Sequence, residues 1–166
     1  DHEVNRTLVA EMLESCGQRV AIAQDGNEAI SMVVDSVVRA RPFDLVLMDV
    51  APECNHYTSD IGRMWPVDGV YRPWQRELYG YIVEYHKALL AAIRPGMTPE
   101  EVMDQVAEEM AGVWERWGFS KAVHREGARK TLTFRGHLSH PVGMAVHDDA
   151  RTEAGPGYFG RPLKPG

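Results

Sequence analysis

The 166-residue sequence is short of cysteine, of long apolar runs, of basic charge and, over its first 48 residues, of aromatic side chains. Its two cysteines, Cys16 and Cys54, exclude a disulfide scaffold and have no neighbours at metal-ligand spacing. No apolar run approaches the roughly 20 residues that span a bilayer, so we expect no membrane partner and a cytoplasmic location. A net charge of -6 and a pI near 5.6 argue against a nucleic-acid partner.

The composition changes near residue 48. Residues 1 to 48 carry four basic and eight acidic residues, one histidine and a single aromatic residue, Phe43. Every tryptophan and tyrosine and the other six histidines follow. A step of this kind suggests two sequences of different ancestry, so we predict two domains, residues 1–48 and residues 49–166.

The first part alternates helical and extended patterns. Apolar residues at helical spacing predict two amphipathic helices, the first ending at Gly17 and the second lying between an Asp-Gly turn at 25–26 and an Arg-Pro break at 41–42. RVAIA predicts a strand between them, and DLVLMDV predicts a second, buried strand. Apolar strands between amphipathic helices are typical of a parallel sheet covered on both faces, with its chemistry at the carboxyl ends of the strands. Asp49 is therefore a candidate site residue.

Residues 1 to about 50 resemble the receiver domain of two-component response regulators on three motifs: D-x-E-V-N-R-x-L, G-x-x-V-x-x-A-x-D-G-x-E-A and P-F-D-L-V-L-M-D. The resemblance implies a partial flavodoxin-like α/β unit (α-β-α-β). In it Asp49 is the phosphoacceptor, Asp1 helps to hold Mg²⁺, and a histidine kinase is the partner. A carboxylate attacks a phosphoryl group only when a cation offsets the repulsion between two anions, which fits Mg²⁺. The sequence departs from a receiver after Asp49, where it reads VAPECNHY.

A hairpin is predicted after Asp49, with Pro52 and Asn55 near its bend. Asp49 and Asp60 are eleven positions apart. On two adjacent antiparallel strands both carboxylates can project from one face and meet at a shared divalent cation, which would offset their repulsion. The alternative is two unrelated strand acids.

Two helices are predicted after the hairpin. One begins near Pro73 and ends at residues 94–96, and the other begins with Thr98 as N-cap and Pro99 at its first position. We expect both to be structural covers with His86 on the surface. Five aromatic residues are candidates for the core or for a subunit interface, which leaves a homodimer possible: Trp74, Tyr79, Tyr81, Trp114 and Trp117.

Three histidines, His137, His140 and His147, lie within eleven residues in GHLSHPVGMAVHDD. GMAV predicts a strand. Positions seven apart point to opposite faces of a regular strand, so His140 and His147 share a site only if residues 141–143 bend the chain. Neutral imidazole beside carboxylates suits Zn²⁺, Mn²⁺, Co²⁺ or Fe²⁺.

The hairpin and the histidine block together resemble the pita-bread metallopeptidases, especially the Xaa-Pro aminopeptidase and prolidase branch, over residues of about 45 to 166. The motifs are D-x10-D with YTSDIGRMWPVDG, PWQRELY, IRPGMTPEE, LSHPVGMAVHD and RPLKPG. The resemblance implies part of a pita-bread α+β fold and a peptide substrate with proline at its second position. It makes Asp49 a bidentate metal ligand, Asp60 a bridging carboxylate and His140 an imidazole ligand. It also gives His147 a catalytic role at the substrate carbonyl, and His137, one position from another family histidine, is assigned with it.

In that family two metal ions about 3.5–4 Å apart activate a bridging water. Two glutamate ligands come after the PLKPG motif, where this sequence ends. We therefore expect residues 49–166 to be a catalytic domain truncated at its C-terminus, weakly active or inactive. DLVLMD suits both families, so Asp49 is a metal ligand or a phosphoacceptor, with a junction within residues 44 to 50. Three interpretations stay open: an incomplete metallopeptidase, a phosphorelay receiver module, and an inactive chimeric fragment.

Overall fold

A computed structural model describes residues 3–15, 17–136, 138–140, 142–145 and 160–165. Its elements, in chain order, are α1 (Glu3–Ser15), α2 (Gly26–Val38), β1 (Leu45–Val50), β2 (Glu53–Cys54), β3 (Tyr57–Thr58), β4 (Ile61–Pro66), α3 (Pro73–Ala92), α4 (Pro99–Arg116), α5 (Ala122–Arg129) and a 3-10 helix (Lys130–Thr133). Within these described ranges, no helix is long and apolar enough to cross a membrane.

The chain divides into two compact units. Unit one is Asp1–Val70 with Val142–Val146, and unit two is Tyr71–Pro141 with His147–Gly166. This division concerns packing, whereas the boundary predicted after residue 48 concerns ancestry. The predicted boundary stays a prediction.

Both predicted helices of unit one form, because each has a local signal at an end. Asp25 caps α2, and its side chain accepts a hydrogen bond from the N–H of Glu28 at 2.9 Å. After α1, Gly17 adopts φ +76°. The N–H groups of Gly17 and Gln18 donate to the carbonyls of Glu14 and Leu13, the pattern of a Schellman motif.

The predicted parallel sheet is wrong for the described residues. Residues 19–23 form no strand, and β1 pairs antiparallel with β4. The α-β-α-β unit is therefore not present in this form, because a strand needs a neighbour for its backbone hydrogen bonds and RVAIA has none in the described chain. Nor is β1 covered on both faces: its residues are exposed or half-buried, and Leu47 is 54% exposed.

One register runs through the predicted hairpin. Leu45 pairs with Pro66 and Val50 with Ile61 in the β1–β4 ladder, and Glu53 pairs with Thr58 in the β2–β3 ladder. The residue numbers of every pair add up to the same value, so the two ladders have the same register. Between the ladders the N–H of Ser59 donates to the carbonyl of Pro52 at 3.0 Å in the same register. Proline has no N–H to return this bond, which accounts for the break between the two ladders.

The hairpin closes with a two-residue turn at Asn55 and His56. Their φ angles are 52° and 67°, as a type I′ turn requires. This turn matches the right-handed twist of the flanking strands and fixes the register from one end. The predicted bend near Asn55 is confirmed.

In unit two, α3, α4 and α5 enclose an apolar core. Its buried members are Tyr81, Ala88, Ala92, Val102, Val106, Met110 and Ala128. Tyr81 is fully buried between Trp117 and Phe119, with ring centroids 5.8 and 5.5 Å away, and its hydroxyl lies 3.1 Å from Thr131 Oγ1. This hydrogen bond satisfies the phenol where water is excluded.

The starts of α3 and α4 agree with the sequence. Pro73 is the first residue of α3, and Pro99 is the first residue of α4. At α4, Thr98 Oγ1 accepts from the N–H of Glu101 at 3.2 Å while the Glu101 carboxylate accepts from the N–H of Thr98 at 2.8 Å. This capping box satisfies two N–H groups that a helix start would otherwise leave unpaired.

Replacing Thr98 with alanine should lower the free energy of unfolding by about 1 kcal/mol, because it removes the acceptor of this cap. Urea denaturation measures the change. The control is Thr133→Ala, an exposed threonine at the end of the 3-10 helix, for which we expect less than about 0.5 kcal/mol. Equal losses in the two variants would contradict the capping assignment.

Candidate functional site

Asp49 and Asp60 lie on one face of the hairpin. Asp49 pairs with Gly62, and Asp60 is two residues before Gly62 along the same strand direction. Side chains alternate between faces, so Asp60 is on the face of Gly62 and therefore on that of Asp49. Such diagonal positions are about 7–8 Å apart. Both aspartates are exposed, and a Cβ atom added at Gly62 would meet nothing within 4 Å, so the space beside Asp49 is open.

The histidine block is described in part. His140 is exposed, whereas His137 and His147 lie outside the described residues, as does Asp1. The described residues after His140, 142–145, form a bend rather than the predicted GMAV strand. A bend at residues 141–143 that would let His140 and His147 share a site stays a prediction.

Thr58 links the hairpin to this bend within unit one. Its N–H donates to the Gly143 carbonyl at 2.7 Å, and its hydroxyl donates to the same oxygen at 3.1 Å. Gly143 is buried. Sequence reasoning did not find Thr58, because its partner lies 85 positions away and no local pattern signals the contact.

The carboxylate and imidazole groups predicted for the site are suitable ligands for a divalent cation. Two carboxylates on one face with open space beside them fit a hard or borderline cation, and an imidazole is the commonest further ligand for such ions. Among the described residues, however, no group of three or more histidine, cysteine, aspartate or glutamate side chains is arranged to hold a metal ion. The described part of the chain therefore provides a carboxylate pair on one face, and His140 stays a predicted ligand.

Unit two has a separate open groove of about 750 Å³. It is lined by Tyr71, Pro73, Arg76, Glu77, Arg116, Trp117 and Gly118. Glu77 has a structural role there: its carboxylate accepts from the N–H of Ser120 at 2.8 Å, and its backbone carbonyl accepts from the indole N–H of Trp117 at 3.0 Å. These bonds fasten the segment after α4 to the first turns of α3.

Among the described residues two groups have displaced pKa values, and both belong to unit two. The backbone N–H of Ser120 holds the pKa of the Glu77 carboxyl below its ordinary value, since a donated hydrogen bond favours the charged form. Burial raises the pKa of the Tyr85 phenol above its ordinary value. Neither Glu77 nor Tyr85 is among the predicted metal ligands.

Comparison with known proteins gives the family. A model of metallopeptidase family M24 matches residues 2–166, and the chain belongs to this family. The match includes residues 2–48, and the receiver interpretation of that segment is not confirmed by it. The expected relation to the metallopeptidases is confirmed.

Curated relatives carry the name Xaa-Pro aminopeptidase. Xaa-Pro aminopeptidase 2 of Streptomyces coelicolor is 32% identical over 116 residues, which are 67% of this chain and 24% of the relative. Xaa-Pro aminopeptidase of Escherichia coli is 32% identical over 126 residues, which are 74% of this chain and 28% of the relative. The chain thus spans about a quarter of the length of these relatives.

Solved structures agree with this family. Aminopeptidase P from Escherichia coli in its low-pH form has a TM-score of 0.52 and 32% identity, over 74% of this chain and 28% of that one. Proline aminopeptidase P II from Yersinia pestis has a TM-score of 0.53 and 32% identity, over 75% of this chain and 29% of that one. The mixed α/β architecture is therefore related to that of the aminopeptidase P enzymes.

The lowered pKa of Glu77 predicts how the stability of the fold depends on pH. A carboxyl whose pKa is lower in the folded state stabilises the fold above its ordinary pKa of about 4.5, and that contribution is lost as the pH falls through the lowered value. Glu77→Gln should therefore lose less stability than the wild type between pH 6 and pH 3, measured by urea denaturation. Glu115→Gln, at an exposed position on α4, should keep the wild-type dependence. Parallel curves for the wild type and Glu77→Gln would refute the role of this hydrogen bond.

Proposed function

We propose that this chain carries part of the metal site of an Xaa-Pro aminopeptidase-like metallopeptidase. Its substrate class is a peptide with proline at the second position. The observation that carries the proposal is the placement of Asp49 and Asp60 on one face of a hairpin with a single register. The family match and the printed names of the relatives support the reaction class.

Each proposed site residue has one role. Asp49 would serve as a bidentate ligand of one ion and Asp60 as a carboxylate shared by two, since a carboxylate has two oxygens and can serve one ion or two. His140 is the imidazole ligand, His147 orients the substrate carbonyl, and His137 is a further residue near the substrate. The assignments to the three histidines rest on the motif LSHPVGMAVHD and the residues around it.

Asp49, Asp60 and His140 would hold the ions, of Mn²⁺, Co²⁺, Zn²⁺ or Fe²⁺, which when bound would supply an activated water and charge stabilisation at the hydrolysed carbonyl. The chain's own contribution is to hold two carboxylates close together in their charged form. Without a cation these carboxylates repel each other, and with one they lower its effective charge and fix its position. Gly62 beside Asp49 leaves room there for an ion or for part of a substrate.

Adding Mn²⁺ should stabilise the folded chain, because a ligand that binds only the folded state shifts the unfolding equilibrium. At a concentration ten times the dissociation constant we expect about 1.4 kcal/mol, or a rise in Tm of roughly 3–5 °C. Asp60→Asn and His140→Ala should each abolish most of this rise. Differential scanning calorimetry with and without Mn²⁺ measures it.

Matched controls separate the site from general charge effects. Asp44→Asn changes an exposed aspartate just before β1, and His86→Ala changes an exposed histidine on α3. Both should keep the full response to Mn²⁺. The proposal fails if the wild type does not respond, or if the control variants lose the response as completely as the site variants do.

Phosphorylation tests the receiver alternative for Asp49. β1 lies in an antiparallel hairpin, so Asp49 does not end a strand of a parallel sheet, which is where a receiver keeps its phosphoacceptor. We therefore expect no phosphoryl adduct when the chain is incubated with acetyl phosphate and Mg²⁺ and its mass is measured. An adduct that Asp49→Asn abolishes would favour the receiver interpretation over the metallopeptidase proposal.

A further inference from the structure

We infer that Thr58 is a positioning residue for the metal site, acting by a two-point bond to the segment that joins His140 to His147. This inference rests on the proposed function, which assigns roles to Asp60 and to both histidines. Thr58 itself binds neither metal nor substrate in this proposal. Its place is between the strand that leads to Asp60 and the bend that follows His140.

The geometry of the hairpin leaves the backbone N–H of Thr58 available. In the hairpin register Thr58 faces Glu53, and Ser59 with Pro52 is the next pair, in which the N–H of Ser59 makes the cross-strand bond. Hydrogen-bonded and non-hydrogen-bonded pairs alternate along an antiparallel ladder, so the N–H of Thr58 points away from β2. It meets the Gly143 carbonyl at 2.7 Å.

The side chain of Thr58 adds a second bond to the same atom. Its hydroxyl reaches the Gly143 carbonyl at 3.1 Å, so both lone pairs of one buried carbonyl have a donor. A single backbone bond lets the bend pivot about its axis. Two donors from one residue restrict that rotation, and a β-branched side chain is itself stiff at χ1.

Gly143 lies along the chain between two of the proposed site histidines, His140 and His147. Gly143 is three residues after His140 and four before His147. Because consecutive Cα atoms are about 3.8 Å apart, the Cα of His140 lies within about 11 Å of that of Gly143. Thr58 is likewise two residues before Asp60. The two hydrogen bonds therefore fasten the strand that leads to Asp60 to the bend at Gly143, within unit one.

Thr58→Val tests the side-chain bond, because valine keeps the β-branched shape and the backbone N–H but has no hydroxyl. We expect its dissociation constant for Mn²⁺, measured by isothermal titration calorimetry on the full chain, to rise about three- to tenfold. Thr58→Ser restores a hydroxyl and should stay within about twofold of the wild type. In the metal-free chain, exchange of the residue 58 amide with deuterium, corrected for its intrinsic rate, should quicken about three- to tenfold in Thr58→Val.

The control is the neighbouring position. The Ser59 hydroxyl donates to the Pro52 carbonyl at 3.0 Å, a bond inside the hairpin that does not reach the bend. Ser59→Ala should therefore lower hairpin stability but leave Mn²⁺ affinity unchanged. The inference is overturned if Thr58→Val binds Mn²⁺ like the wild type, or if Ser59→Ala weakens binding as much. If the wild type does not bind Mn²⁺ at all, the proposed function fails with it, which is a different result from a normal affinity that ignores Thr58.

Discussion

The single register of the hairpin is the constraint on which the candidate site depends. Side chains alternate with a period of two, so a slip of one residue would put Asp49 and Asp60 on opposite faces. Two features hold the register: the positive-φ turn at Asn55 and His56, and the two ladders, whose pairs from Leu45 with Pro66 to Cys54 with Tyr57 keep one register across the break at Pro52. The turn is local in sequence, so the geometry of the candidate site depends here on the chemistry of a turn.

Local signals explain which elements the sequence predicts. Asp25 before α2 and Thr98 before α4 form their expected caps, and the hairpin bends where Pro52 and Asn55 predict it. The RVAIA strand fails for the opposite reason. Its apolar β-branched residues suit a strand, but strand formation depends on a partner elsewhere in the chain, which a short pattern cannot specify. The antiparallel pairing of β1 agrees with the hairpin predicted after Asp49 and contradicts the parallel sheet predicted from DLVLMDV.

The candidate site likewise has one part that a local sequence pattern predicts and one part that it does not. That Asp49 and Asp60 share a face follows from a spacing of eleven positions and a hairpin, both of which can be deduced from a short stretch of sequence. The bond from Thr58 to Gly143 cannot, because it joins positions 85 apart and involves a backbone carbonyl that every residue possesses. The aromatic residues give an intermediate case. The sequence predicts Trp114 and Trp117 for a core or an interface, and their indole N–H groups donate to backbone carbonyls of Arg125 and Glu77 inside unit two.

Holding two like charges on one face has a cost that the rest of the hairpin must offset. Carboxylates on neighbouring strands repel each other, and glycine at position 62 contributes no side-chain packing to the ladder. Both features weaken the strand pair at the candidate site. The tight turn at Asn55 and His56 lies at the end of the hairpin and involves neither charge. The side chain of Thr58, two residues before Asp60, lies on the same face as the carboxylates and bonds to Gly143. The turn thus stabilises the register without drawing on the charged face.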